Sequence, residues 1–122
     1  MIQLSMQPQE IEVWYVLPAL RRDIAKRLLS KGQTQKKIAS TLGVTEAAIS
    51  QYLHSKRAQG VTFTKEFERK ISAESDRIAD GKKTCYEALQ SLCQDFRKSR
   101  ELCHLHHSLE KIPQECDVCL VK

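Results

Sequence analysis

At 122 residues, with 41% hydrophobic and 29% charged side chains, the chain can bury one compact core and has too little length left for a second of any size. Four glycines, three prolines and a sparse aromatic set of three Phe, three Tyr and one Trp fit a soluble helical protein, and argue against both a disordered chain and an all-β sandwich. The net charge of +5 lies wholly in residues 1–57, which hold nine Lys and Arg against four acids, while residues 58–122 hold eleven of each sign; an excess confined to one half suits a surface that faces a polyanion.

Residues 10–17 alternate in polarity around Ile11, Val13, Tyr15 and Leu17, which predicts a short extended arm, with a helical turn as the alternative. Pro18 suits a first helical turn, Leu20, Ile24 and Leu28 recur every four residues, and Gly32 can stop the chain in a left-handed conformation. Together they predict a helix over 18–31. Thr34 reads as the N-cap of a helix through Leu42, Gly43 as a sharp turn, and Thr45 as the N-cap of a helix to about His54. Residues 55–62 lack an apolar period and include Gly60, so they read as a loop. A further helix follows Thr64, turns Phe67, Ile71 and Ile78 inward, and ends near Gly81. Thr84 and Glu87 have the spacing of a capping box, opening a helix with an inward stripe of Cys85, Leu89, Leu92 and Phe96 and with Cys93 beside it. Beyond Arg100 the pattern gives way to a Cys/His-rich tail containing Pro113.

The run from Gln33 to Leu53 meets the steric demands of a helix-turn-helix unit. Two helices that cross tightly need a small residue at the contact, which Ala39 supplies. Four residues on, the turn needs a residue tolerant of positive φ, which Gly43 supplies. Six further on, Ile49 can bury against the first helix with Ile38, Leu42, Val44 and Leu53. This leaves Thr45, Glu46, Ala47, Ser50, Gln51 and His54 to enter a major groove. Gln51 can pair with adenine through two hydrogen bonds, Ser50 and Thr45 can donate to bases or phosphates, and Ala47 can meet a thymine methyl. Glu46 can accept from cytosine or favour the helix dipole. Gln33, Thr34, Gln35, Lys36, Lys56 and Arg57 flank this face as candidate phosphate contacts, which fix register without reading sequence.

On these residues, 18–80 resemble helix-turn-helix regulators of the XRE or lambda-repressor-like family. The stretches Val16-Leu17-Pro18-Ala19-Leu20-Arg21 and Ala47-Ala48-Ile49-Ser50-Gln51-Tyr52-Leu53 resemble small archaeal regulators that carry a cysteine-rich tail. The resemblance implies an all-α protein: a lambda-repressor-like bundle over residues 1–81, then a helical, cysteine-rich element over 82–122 that binds a metal or cluster and serves sensing or dimerisation. It also implies a homodimer acting on a palindromic operator in double-stranded DNA, as a repressor.

The tail offers a Cys116-Asp-Val-Cys119 knuckle, which lets two thiolates grip one metal, and Cys103 with His106 as a second pair. Two ligand sets share Cys103, Cys116 and Cys119. With His106 the site has three thiolates and an imidazole and suits a structural zinc; with Cys93 it has four thiolates and suits an iron-sulfur cluster of the 4Fe-4S type, although zinc would accept them too. In the regulators that the tail resembles, cysteines stand at the positions of all four, often with one more where this chain has Gln90. An unbroken helix through Cys93 and Cys103 would hold them ~15 Å apart, so Cys93 can join only if the helix breaks near Ser99 or Arg100. The cluster is taken as the first reading and zinc as its alternative. Cys85 is expected in the core, and His104 and His107 as solvated polar residues.

No glycine-rich phosphate loop and no Ser/His/Asp order is found, so no enzyme is expected. No apolar run approaches the ~18–20 residues that cross a bilayer and residues 1–6 lack a secretory pattern, which predicts a cytoplasmic protein with reduced thiols. The alternative to a redox- or iron-sensing DNA-binding regulator is the same regulator with a structural zinc, or a zinc-stabilised adaptor for protein or RNA.

Overall fold

The computed structural model describes residues 7–54, 63–99 and 101. Among them all regular structure is helical: α1 (Pro8–Ile11), a π-helical turn (Glu12–Val16), α2 (Leu17–Ser30), α3 (Gln35–Leu42), α4 (Glu46–Leu53), α5 (Lys65–Ala79) and α6 (Cys85–Lys98). The expected loop at 55–62 and the tail beyond residue 101 lie outside the described residues.

Four helices begin the same way. Thr34, Thr45, Thr64 and Thr84 hold an extended backbone, and each side-chain oxygen accepts a hydrogen bond from the N–H three residues on, satisfying one donor that the first turn leaves open. Thr84 completes the capping box, since the Glu87 carboxylate accepts from the Thr84 N–H at 3.1 Å. Three helices also end alike, with Gly32, Gly43 and Gly81 at positive φ after α2, α3 and α5. At the end of α3 the Gly43 N–H donates to Ser40 and the Val44 N–H to Ala39, the paired bonds of a Schellman stop.

The arm expected to be extended over 10–17 is helical instead. Ile11 and Val16 are both fully buried, five residues apart, and a π turn between them absorbs the extra residue that an α-helix would place off the core-facing side. The same turn leaves Val13 60% and Trp14 71% exposed. The alternating pattern was therefore produced by a helix with a register shift, not by a strand.

The core is one cluster to which every helix contributes. α2 is its hub, packing against α3, α4, α5 and α6 with Leu20, Ile24 and Leu28 fully buried, as their spacing predicts. α6 adds Cys85, Ala88, Leu92, Cys93 and Phe96; Leu89, expected on the same stripe, is only partly buried because the buried face runs through Ala88. Phe63, Phe67 and Phe96 form a mutual ring cluster with centroids 5.2 to 6.0 Å apart, which ties the start of α5 to the end of α6. Two polar links tie α5 to its neighbours. Lys31 at the end of α2 reaches Asp76 of α5 at 2.6 Å, and the buried Glu74 carboxylate accepts from Lys83 and Arg77 at 3.0 Å each.

Candidate nucleic-acid interface

α3 and α4 are packed neighbours joined by a short turn. Ala39 of α3 is 4% exposed, Gly43 turns the chain at φ 70°, and Ile49 of α4 is fully buried. Ile38, Leu42, Ala48 and Tyr52 are buried in the same core, and α2 packs against α4. Because Ala48, Ile49 and Tyr52 face inward, helical periodicity turns Thr45, Glu46, Ala47 and Gln51 to solvent, and all four are exposed. Ser50 is half-buried on the flank of that face.

Local bonding pre-arranges several of these groups. The Thr45 hydroxyl accepts from the Ala48 N–H at 3.1 Å, and the Thr34 hydroxyl from the Lys37 N–H at 3.1 Å, which leaves each O–H proton available as a donor. His54 is exposed just past α4, and its Nδ1 lies 2.7 Å from the Ser50 carbonyl oxygen. A carbonyl can only accept, so Nδ1 must carry the proton; in the neutral ring Nε2 is then the acceptor.

Gln35 and Lys36 stand exposed in the first turn of α3, next to Lys37, which the candidate set did not include. Lys26, Lys36 and Lys37 make no ion pair among the described residues, so their charge is available to an external anion. Other cations of the basic half are used internally: Arg22 bonds Asp23 at 2.8 Å and Lys31 bonds Asp76. Gln33 is half-buried, with its Oε1 enclosed and without a hydrogen-bond partner. Lys56 and Arg57 lie outside the described residues.

Of the candidate metal ligands, Cys93 is described and Cys103, His106, Cys116 and Cys119 are not. Cys93 is 8% exposed on the penultimate turn of α6. The helix stops at Lys98 and Ser99 is extended at φ −102°, ψ 174°, which is the position where a break is needed for Cys93 to join the ligand set. Cys85 is different: burial pushes its thiol pKa up, with a smaller opposing pull from Arg21, and it belongs to the core. Among the described residues no three His, Cys, Asp or Glu side chains converge into a metal-binding group. Nor is any described helix long and apolar enough to cross a membrane.

Sequence reasoning missed a shallow groove of about 410 Å³ between the N-terminal helical segment and α6, lined by Val13, Leu17, Arg21, Tyr86, Leu89 and Arg97 among others. Its walls come from residues more than sixty positions apart, so no local pattern announces it. Comparison with known proteins adds no likeness to set beside this geometry: no protein-family model matches the chain, and neither does any curated protein or solved structure.

Proposed function

We propose that the protein is a sequence-specific DNA-binding transcription regulator of the lambda-repressor-like helix-turn-helix kind, with α4 as the recognition helix. The observation that carries this reading is the outward row Thr45, Glu46, Ala47 and Gln51 on a short helix whose opposite side is wholly buried, next to the exposed lysines of α3. A rigid helix with small and amide side chains on its outer face fits a major groove, and lysines beside it meet the flanking phosphates.

A single unit of this kind reads one half-site, so the active species in this reading is a homodimer with half-sites ~34 Å apart on a palindromic operator. The tail cysteines Cys103, Cys116 and Cys119, with Cys93 on the penultimate turn of α6, are proposed to hold an iron-sulfur cluster that reports redox state or iron to the DNA-binding half. A structural zinc is the alternative occupant. The absorption spectrum of anaerobically purified protein separates the two, because the cluster is coloured and zinc is not.

The test of DNA reading is selection of a preferred site from a random duplex library, followed by titration of that site and of random DNA. Gln51→Ala should cost ~1–3 kcal/mol on the selected site and leave random-DNA affinity unchanged. Sedimentation of the complex gives the number of chains per site. Failure to enrich any sequence, or an unchanged ratio of specific to random affinity in Gln51→Ala, overturns the assignment of α4.

A further inference from the structure

The groove between the N-terminal helical segment and α6 has an unusual chemical balance. Its volume of about 410 Å³ falls in the range of ~300–1,000 Å³ typical of small-molecule sites. Val13, Leu17, Leu89 and Tyr86 give it apolar walls, and Val13 and Tyr86 at its rim are 60% and 78% exposed. Two guanidinium groups, Arg21 from α2 and Arg97 from α6, enter the same lining.

Arg21 adds a second, independent sign. Its Nε is fully enclosed, yet its N–H has no hydrogen-bond acceptor. A buried guanidinium whose Nε lacks an acceptor is under-compensated, so a carboxylate that reaches its terminal nitrogens from the groove is worth more here than at a solvated arginine. A carboxylate matches the guanidinium fork in shape and charge. The apolar walls call for a hydrocarbon body on the same molecule.

We propose that this groove is a binding site for an amphiphilic monocarboxylate, with the carboxylate on Arg21 and the apolar body along Val13, Leu17 and Leu89. The site makes no use of the outward face of α4 and stands whether or not the chain binds DNA, but it shares Cys93 in its lining with the proposed cluster. Octanoate is a suitable probe, with octanol as its uncharged counterpart, each titrated calorimetrically into the full-length protein in reducing buffer. Octanoate should bind saturably at one site per chain, and octanol at least about tenfold more weakly, the difference a charge-assisted hydrogen bond makes. Arg21→Leu should abolish the preference for octanoate. Because Arg21 is partly buried and its loss can disturb folding, Val13→Glu provides a second variant at an exposed position. Its carboxylate would stand at the groove and repel the probe, lowering octanoate affinity at least about tenfold while the helical circular dichroism is kept. Absence of saturable octanoate binding, equal affinity for octanol, or unchanged octanoate affinity in Val13→Glu would each overturn the proposal.

Discussion

Gly43 links chain chemistry to the placement of α4, because the direction of α4 after α3 depends on one residue at φ 70°. A Cβ built there meets nothing within 4 Å, so substitution brings conformational strain without a clash. Gly43→Ala is expected to lower stability by ~1–2 kcal/mol in urea denaturation, the cost of a left-handed conformation for an L-residue. Gly43→Asn should cost less, since asparagine tolerates that region better than alanine. Equal losses would mean that packing and not backbone conformation governs the site. Ala39 acts differently, through its size: at 4% exposure in the core, a larger side chain would have to displace its neighbours.

Among the helices, α5 is capped in an unusual way. Thr64 caps the helix, and the Glu101 carboxylate, 37 residues later, accepts from both the Thr64 N–H at 3.0 Å and its hydroxyl at 2.6 Å. Glu101 is 8% exposed, so it takes the role of the capping-box glutamate from a distance and ties the end of the described chain to the start of α5. Glu101→Ala should cost ~1–3 kcal/mol by leaving the Thr64 N–H without its acceptor, against about 1 kcal/mol for the local cap variant Thr34→Ala. Thermal unfolding of both variants checks the order. Two further carboxylates make stability depend on pH. Hydrogen bonds from Thr84 hold the Glu87 pKa below its ordinary 4.5, and the Lys31 ammonium, through its hydrogen bond and charge, holds Asp76 below 3.8. A depressed folded pKa means that the stabilisation is present above the ordinary value and is lost as pH falls through the lower one. Unfolding followed from neutral pH into this acid range should show falling stability, and Glu87→Gln with Asp76→Asn should flatten the fall.

Across the whole molecule, the charge excess divides into spent and available parts. Arg22 and Lys31 are paired with Asp23 and Asp76, whereas Lys36 and Lys37 stand exposed in the first turn of α3. If the outward face of α4 meets duplex DNA, each lysine that neutralises a phosphate releases a counterion. Lys36→Ala with Lys37→Ala should therefore weaken selected and random duplexes alike, and reduce the slope of log affinity against log salt by about two. Fluorescence anisotropy over a salt series gives both quantities. A loss confined to the selected site would assign the pair to base reading instead.

Local rules made much of this protein readable before any coordinates. Threonine caps at 34, 45, 64 and 84 and glycine stops at 32, 43 and 81 depend on the conformation of a few adjacent residues, and the helix boundaries follow them closely. The small-glycine-apolar spacing of Ala39, Gly43 and Ile49 is likewise local, and the outward residues of α4 follow from helical periodicity once its inner face is buried. Three features required the tertiary structure. The segment over 10–17 alternates like a strand, but docking Ile11 and Val16 on one core forced a π turn, because tertiary burial outweighs a weak local period. Glu101 reads as a surface acid until the fold brings it to Thr64. Arg21 and Arg97 are separated by most of the chain and share a groove only because α2 and α6 pack together, a juxtaposition that no spacing along the chain encodes.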